Sequence, residues 1–248
     1  MIPRNFTALF IAGLLAAPCS AKSPTDDAGT RGIVLLAQGH YKEAVTAFDA
    51  AIKRDPHDAG ALANRCTARY KSGDTEGAIL DYETAVKLKP GIKAALAPSM
   101  SDAYYRRARR LADAAADTAA TDALYTSVRL DRKNSLAYNE LGLLAARNRQ
   151  DETALGYFDR ALKLSPDLAS AYANRAAALL ALRRGAEAFA DMDRAILIEP
   201  KNASYFSSRA RISAAIGRRG QAGKDARRAV ELAPTQADGL KDLLPAEK

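Results

Sequence analysis

The side chains from which this chain could build chemistry are few: two histidines, two cysteines, and a surplus of basic over acidic residues, 37 to 29. His40 and His57 lack a second ligand at H-x-x-x-H spacing, and Cys19 and Cys66 do not form a Cys pair of the kind zinc requires. Nucleophile elbows (G-x-S-x-G), phosphate-binding P-loops and dinucleotide-binding G-x-G-x-x-G runs do not occur. Asp55-Pro56-His57-Asp58 has the composition of a metal site, yet runs of its kind close other segments of the chain as turns. Neither an enzyme nor a cofactor is expected. What remains is arginine, whose guanidinium fork grips carboxylates and phosphates. The formal charge of +8 suits an acidic partner or an anionic surface.

Helices must position these residues. From Ser135 to Leu168, Tyr138, Leu141, Gly142 and Ala145 recur on one helical face, and Ala154, Phe158, Ala161 and Leu162 on another. Arg149-Gln150-Asp151 separates the two runs and Pro166 closes the unit, since proline cannot continue a helix. The pattern returns every 34 residues: Tyr172, Ala176, Ala188, Ala195 and Pro200, then Phe206, Ala210, Ala222, Ala229 and Pro234. Upstream, Tyr104, Ala108, Ala120 and Leu124 match, with Arg132 in place of the proline. Leu62, Ala78, Tyr82, Ala85 and Pro90 form a second unit, and Gly32, Tyr41, Ala44, Phe48, Ala51 and Pro56 the first. Small residues at the eighth, twentieth and twenty-seventh places let two helices approach, and an aromatic at the twenty-fourth fills the space beside them.

This pattern resembles the tetratricopeptide repeat (TPR), with Tyr138 for its tryptophan and Ala145 for its tyrosine. The resemblance implies an all-α solenoid of six helix-turn-helix repeats and a C-terminal capping helix. Repeats one and two are assigned to 25–92, an insert to 93–100, repeats three to six to 101–236, and the cap and tail to 237–248. Pro98 in the insert KAALAPSM is expected to prevent a continuous helix, giving a bend or a short extra turn of helix between repeats two and three.

Five repeats carry arginine at the seventh place: Arg31, Arg65, Arg107, Arg175 and Arg209. Three of these have aspartate at the twenty-third: Asp81, Asp191 and Asp225. Arg–Asp pairs tying helices together are expected. The resemblance further implies a concave groove for a protein or peptide partner, lined by the first helices: Asn64, Tyr70, Lys71, Tyr105, Arg106, Arg109, Asn139, Arg147, Asn174 and Arg211. Ala63-Asn64-Arg65 and Ala173-Asn174-Arg175 resemble TPRs that clamp a chaperone's C-terminal carboxylate, though the remaining clamp residues are incomplete here. The sixth repeat concentrates positive charge, net +5, in Arg209, Arg211, Arg218, Arg219, Lys224, Arg227 and Arg228. Its basic patch of Arg218, Arg219, Lys224, Arg227 and Arg228 supports an alternative reading, an electrostatic adaptor for an anionic envelope surface or acidic partner. Nucleic acid is not expected.

Residues 1–21 read as a secretory leader: Arg4, an apolar run from Phe6 to Ala17 too short to span a bilayer, and a small-residue site ending at Ala21. Residues 22–24 form a linker. A bacterial periplasmic or secreted location follows, with no transmembrane segment once the leader is removed. Cys19 resembles the cysteine of a lipoprotein box, but Pro18 precedes it where a small residue is usual. Cys66 shares the eighth place with Gly32, Ala108, Gly142, Ala176 and Ala210, so it is expected to pack as a small, inert hydrophobe.

Overall fold

The computed structural model describes residues 27–244, so the leader, the 22–24 linker and Cys19 lie outside the described residues. Among the described residues there are twelve α-helices arranged as six hairpins. They are α1 (Ala28–Ala37) with α2 (Tyr41–Arg54), α3 (Ala59–Ser72) with α4 (Thr75–Leu88), and α5 (Lys93–Asp113) with α6 (Asp117–Leu130). Then follow α7 (Ser135–Arg147) with α8 (Asp151–Leu164), α9 (Ala169–Ala181) with α10 (Gly185–Ile198), and α11 (Ala203–Ala215) with α12 (Arg219–Leu232). The hairpins group into two compact units that divide between Arg132 and Lys133, three hairpins in each. No helix among the described residues is long and apolar enough to cross a membrane.

Local chemistry starts and stops the helices. Asp58, Asp74, Asn134 and Asn202 each accept a hydrogen bond from a first-turn N–H, which satisfies donors that have no intrahelical partner. Every first helix ends at the fifteenth place of its repeat with a residue in the left-handed region: Gly39, Gly73 and Gly217, but also Ala115, Arg149 and Arg183, at φ of 56°, 61° and 61°. Glycine adopts this conformation freely, whereas an L side chain there costs about 1–2 kcal/mol.

Within a hairpin, the two helices meet where the eighth and twenty-fourth places face each other. A Cβ added to Gly32 would lie 2.6 Å from the Phe48 ring, and one added to Gly142 would lie 2.4 Å from Phe158. Both phenylalanines are completely buried. In two other hairpins the eighth place carries a methyl, Ala108 opposite Leu124 and Ala176 opposite Met192. Cys66 fills the same place in the second repeat. It is fully buried, its Sγ 3.7 Å from Met100 Sδ, and burial pushes the thiol far above its ordinary pKa, which leaves it protonated.

The expected break at Pro98 does not occur. One helix of 21 residues, α5, runs through it, so the insert lengthens the first helix of the third repeat. Pro98 removes one backbone donor, but Leu96 and Met100 on either side of it are buried and hold that turn in place. The cap is realised as short 3-10 turns, Pro234–Gln236 and Asp238–Leu243, with Leu240 buried against Ala210, Ala226 and Ala229.

These contacts set three expected outcomes in denaturant unfolding. Phe158→Ala leaves a cavity between α7 and α8 and costs about 3–5 kcal/mol. Gly142→Ala drives a methyl into that ring and costs about 1–3 kcal/mol. Arg149→Gly relieves the left-handed residue and gains about 0.5–1 kcal/mol. Unchanged midpoints for the first two would refute the tight α7–α8 approach.

Candidate functional site

The expected Arg–Asp pairs are present, and each is part of a larger group. Arg65 grips Asp81 with a two-point fork, Nε to Oδ2 at 2.9 Å and Nη2 to Oδ1 at 2.6 Å, while its Nη1 reaches Asp49 at 2.6 Å. Arg175 repeats this with Asp191 (2.8 and 2.7 Å) and Asp159 (2.5 Å), and Arg209 with Asp225 (2.9 and 2.7 Å) and Asp193 (2.6 Å). The second aspartate belongs to the preceding repeat, at its twenty-fifth place, so one guanidinium fixes three helices. Hydrogen bonding to Asp81, Asp191 and Asp225, reinforced by the second aspartate, raises the three arginine pKa values against the opposing effect of burial. Arg31 and Arg107 face alanine, Ala47 and Ala123, at the twenty-third place and form no such triad.

The two aspartates of a triad differ in exposure, which decides the cost of removing the arginine. Asp191 is 8% exposed and Asp159 62%. Arg175→Ala strands a buried carboxylate and is expected to cost about 3–5 kcal/mol. Asp159→Ala removes a solvent-screened contact worth about 0–1 kcal/mol. Equal melting shifts for the two variants would contradict the triad's asymmetry.

In the N-terminal unit, α3 packs against the first helices on both sides, α1 and α5. Tyr70, near the end of α3, donates its hydroxyl to Asp102 Oδ2 on α5 at 2.9 Å. Arg106, one turn further along α5, lies 2.6 Å from the same oxygen and sets its guanidinium 5.3 Å from the Tyr70 ring centre. Lys71 sits 5.9 Å from that ring. Burial and the bond to Asp102 push the Tyr70 phenol up to about 12, so it stays a neutral donor at physiological pH. Arg109, a turn beyond, is exposed and makes no ion pair among the described residues. Tyr105 is half-buried beside Arg106. Six of the ten groove residues therefore lie on α3 and α5, and five of them, all but the buried Asn64, are at least partly exposed.

The asparagines depart from expectation. Asn64 and Asn139 are only 3% and 5% exposed, because closely packed, small-residue helices cover them. Asn139 Oδ1 accepts from Asn174 Nδ2 at 3.0 Å, a bond between α7 and α9. Arg147 is exposed at the end of α7, and Arg211 donates to the Gly239 carbonyl of the cap at 3.2 Å. In the basic patch, Arg218 lies 4.7 Å from the Phe189 ring centre and Arg228 pairs with Glu231 at 2.9 Å. Arg219, Lys224 and Arg227 are exposed, with no ion pair among the described residues. The second aspartate of each triad went unnoticed in the sequence, although Asp49, Asp159 and Asp193 all occupy the twenty-fifth place of a repeat followed by a seventh-place arginine. No group of His, Cys, Asp and Glu able to hold a metal ion occurs among the described residues.

Comparison with known proteins agrees with this architecture. A family profile described as "Tetratricopeptide repeat" matches residues 30–92. A stretch of 75 residues is 36% identical to the tetratricopeptide repeat and J domain-containing co-chaperone DNJ1 of Fusarium oxysporum; it is 30% of this chain and spans 14% of that protein. Among solved structures, YrrB, described as a TPR protein with an unusual peptide-binding site, aligns over 79% of this chain and 97% of its own at 21% identity, with a TM-score of 0.60. The C-terminal part of a TPR protein from Cytophaga hutchinsonii aligns over 87% of this chain and 83% of its own at 16% identity, with a TM-score of 0.60. The Cut9–Hcn1 assembly of the APC/C covers 98% of this chain and 46% of its own at 20% identity, with a TM-score of 0.57. The fold is a TPR α-solenoid.

Proposed function

We propose that this protein is an exported interaction scaffold whose N-terminal unit holds an extended peptide against α3 and α5. TPR folds serve as protein-binding scaffolds, and one observation favours this face. Tyr70 presents a half-buried aromatic ring flanked by two cations, Lys71 and Arg106, with Arg109 exposed on the next turn of α5. Such a surface offers donors for carboxylates and peptide carbonyls, and an aromatic plane with a polar tip. The peptide-binding description of YrrB adds support at the level of fold. Immobilised full-length chain should select peptides from a random display library. Arg106→Ala with Arg109→Ala should weaken the selected peptides by about tenfold, roughly 1.4 kcal/mol, with melting nearly unchanged. Arg218→Glu with Arg219→Glu should leave them bound. Equal binding by the groove variant would remove this reading.

Export belongs to the same proposal and rests on Arg4, the apolar run Phe6 to Ala17 and the small residues up to Ala21. N-terminal sequencing of protein recovered from the periplasm or medium should start at Lys22. A lipid on Cys19, or an intact Met1, would replace that account.

A further inference from the structure

The C-terminal unit carries a feature that the groove does not use: its hairpin turns are rich in arginine. Arg147 and Arg149 flank the fourth turn, Arg183 and Arg184 form the fifth, and Arg218 and Arg219 the sixth. The corresponding turns of the N-terminal unit, Gln38-Gly39-His40, Ser72-Gly73-Asp74 and Ala114-Ala115-Ala116, contain no arginine.

The three turns are neighbours along one edge. Arg149, Gln150, Asp151, Glu152 and Thr153 share a shallow depression with Leu182 of the fifth turn. A Cβ on Gly185 would lie 2.3 Å from Ile216 Cγ2, which brings the fifth turn against the sixth, and Arg218 stacks on Phe189 at the same junction. Some of this charge is already used, since Arg184 holds Glu187 by two hydrogen bonds of 2.7 and 2.8 Å. Arg149, Arg183 and Arg219 are exposed and form no ion pair among the described residues, one in each turn. Two of them, Arg149 and Arg183, occupy the left-handed place that three other turns give to glycine.

We propose that this edge binds an acidic peptide laid across the three turns. The first helices of the unit are direct neighbours, α9 packing against both α7, through the Asn139–Asn174 bond, and α11, so successive turns are about 8–10 Å apart, roughly three residues of extended chain. A segment with carboxylates at about that interval meets one unpaired arginine at each turn. A bilayer fits less well, because none of the large exposed apolar residues, such as Leu136 or Leu197, lies in these turns to anchor it. Asp151, Glu152 and Glu187 are interleaved with the arginines, so the edge presents discrete cations rather than a continuous basic strip.

Fluorescence anisotropy of the full chain with a labelled oligoglutamate of about ten residues tests this. Binding should weaken steeply with salt, and Arg149→Gly, Arg183→Gly and Arg219→Ser together should weaken it by about tenfold or more while melting stays level or rises, glycine being the relaxed residue at two of the sites. Lys224→Ser with Arg227→Ser, on the same basic repeat but away from the turns, should change it less than about twofold. Arg106→Ala with Arg109→Ala should leave it intact, which separates this surface from the groove. Oligoglutamate binding that survives the turn variant, or that depends on Lys224 and Arg227 instead, overturns the proposal. Binding to vesicles of phosphatidylglycerol that is lost with the turn variant, without oligoglutamate binding, assigns the edge to a membrane and overturns it equally.

Discussion

A carboxylate buried between helices cannot be left alone: outside water its charge must find a cation or be neutralised. Asp81, Asp191 and Asp225 are buried in this way, and each is matched by an arginine from the first helix of its own repeat. That arginine then has one amino group left, which turns to the aspartate of the repeat before. The second helix of one hairpin is thereby locked in register with both helices of the next. Paired burial of this sort adds little net stability over an apolar contact, because desolvation consumes most of the attraction. Its effect is on geometry, since a hairpin that slips relative to its neighbour leaves an aspartate uncovered.

The two candidate surfaces draw on what these ties leave over. Three of the five seventh-place arginines, Arg65, Arg175 and Arg209, are consumed in the triads, and the cations of both candidate surfaces sit at other places in the repeat. On α3 and α5 they accompany Tyr70, whose ring and hydroxyl organise Arg106, Lys71 and Asp102 into one cluster. On the C-terminal unit they crowd the turns, where Arg149, Arg183 and Arg219 are exposed. The result is one surface built from stacking and hydrogen bonding, and another built from charge.

Much of the architecture was legible because the chain repeats itself. A place that must be small, such as Gly142 opposite Phe158, is marked six times over, and the Arg–Asp pairs could be read from their constant separation. Pro98 misled because a proline rule is local, whereas the burial of Leu96 and Met100 that carries α5 through it depends on tertiary packing. The asparagines misled for a related reason. A place that faces the groove in outline can still be covered by the packing of neighbouring helices, as Asn64 and Asn139 are. The outer aspartates were missed because they act on the following repeat, and the turn arginines because turns were read as punctuation between helices.

The fit of Phe48 over Gly32 and of Phe158 over Gly142 also bears on how such an array can grow. These two hairpins are matched internally: the buried phenylalanine ring faces a helix with no side chain at that spot, while hairpins with Leu124 or Met192 tolerate an alanine there. Exchanging single helices between repeats would mix these sizes, and α9 set in place of α7 would bring the methyl of Ala176 into the Phe158 ring. Exchange or duplication of entire hairpins keeps the sizes matched, and it keeps the ionic tie as well wherever the copied arginine follows an aspartate such as Asp49, Asp159 or Asp193. The hairpin, not the helix, is then the smallest piece that recombination can move without repacking the core.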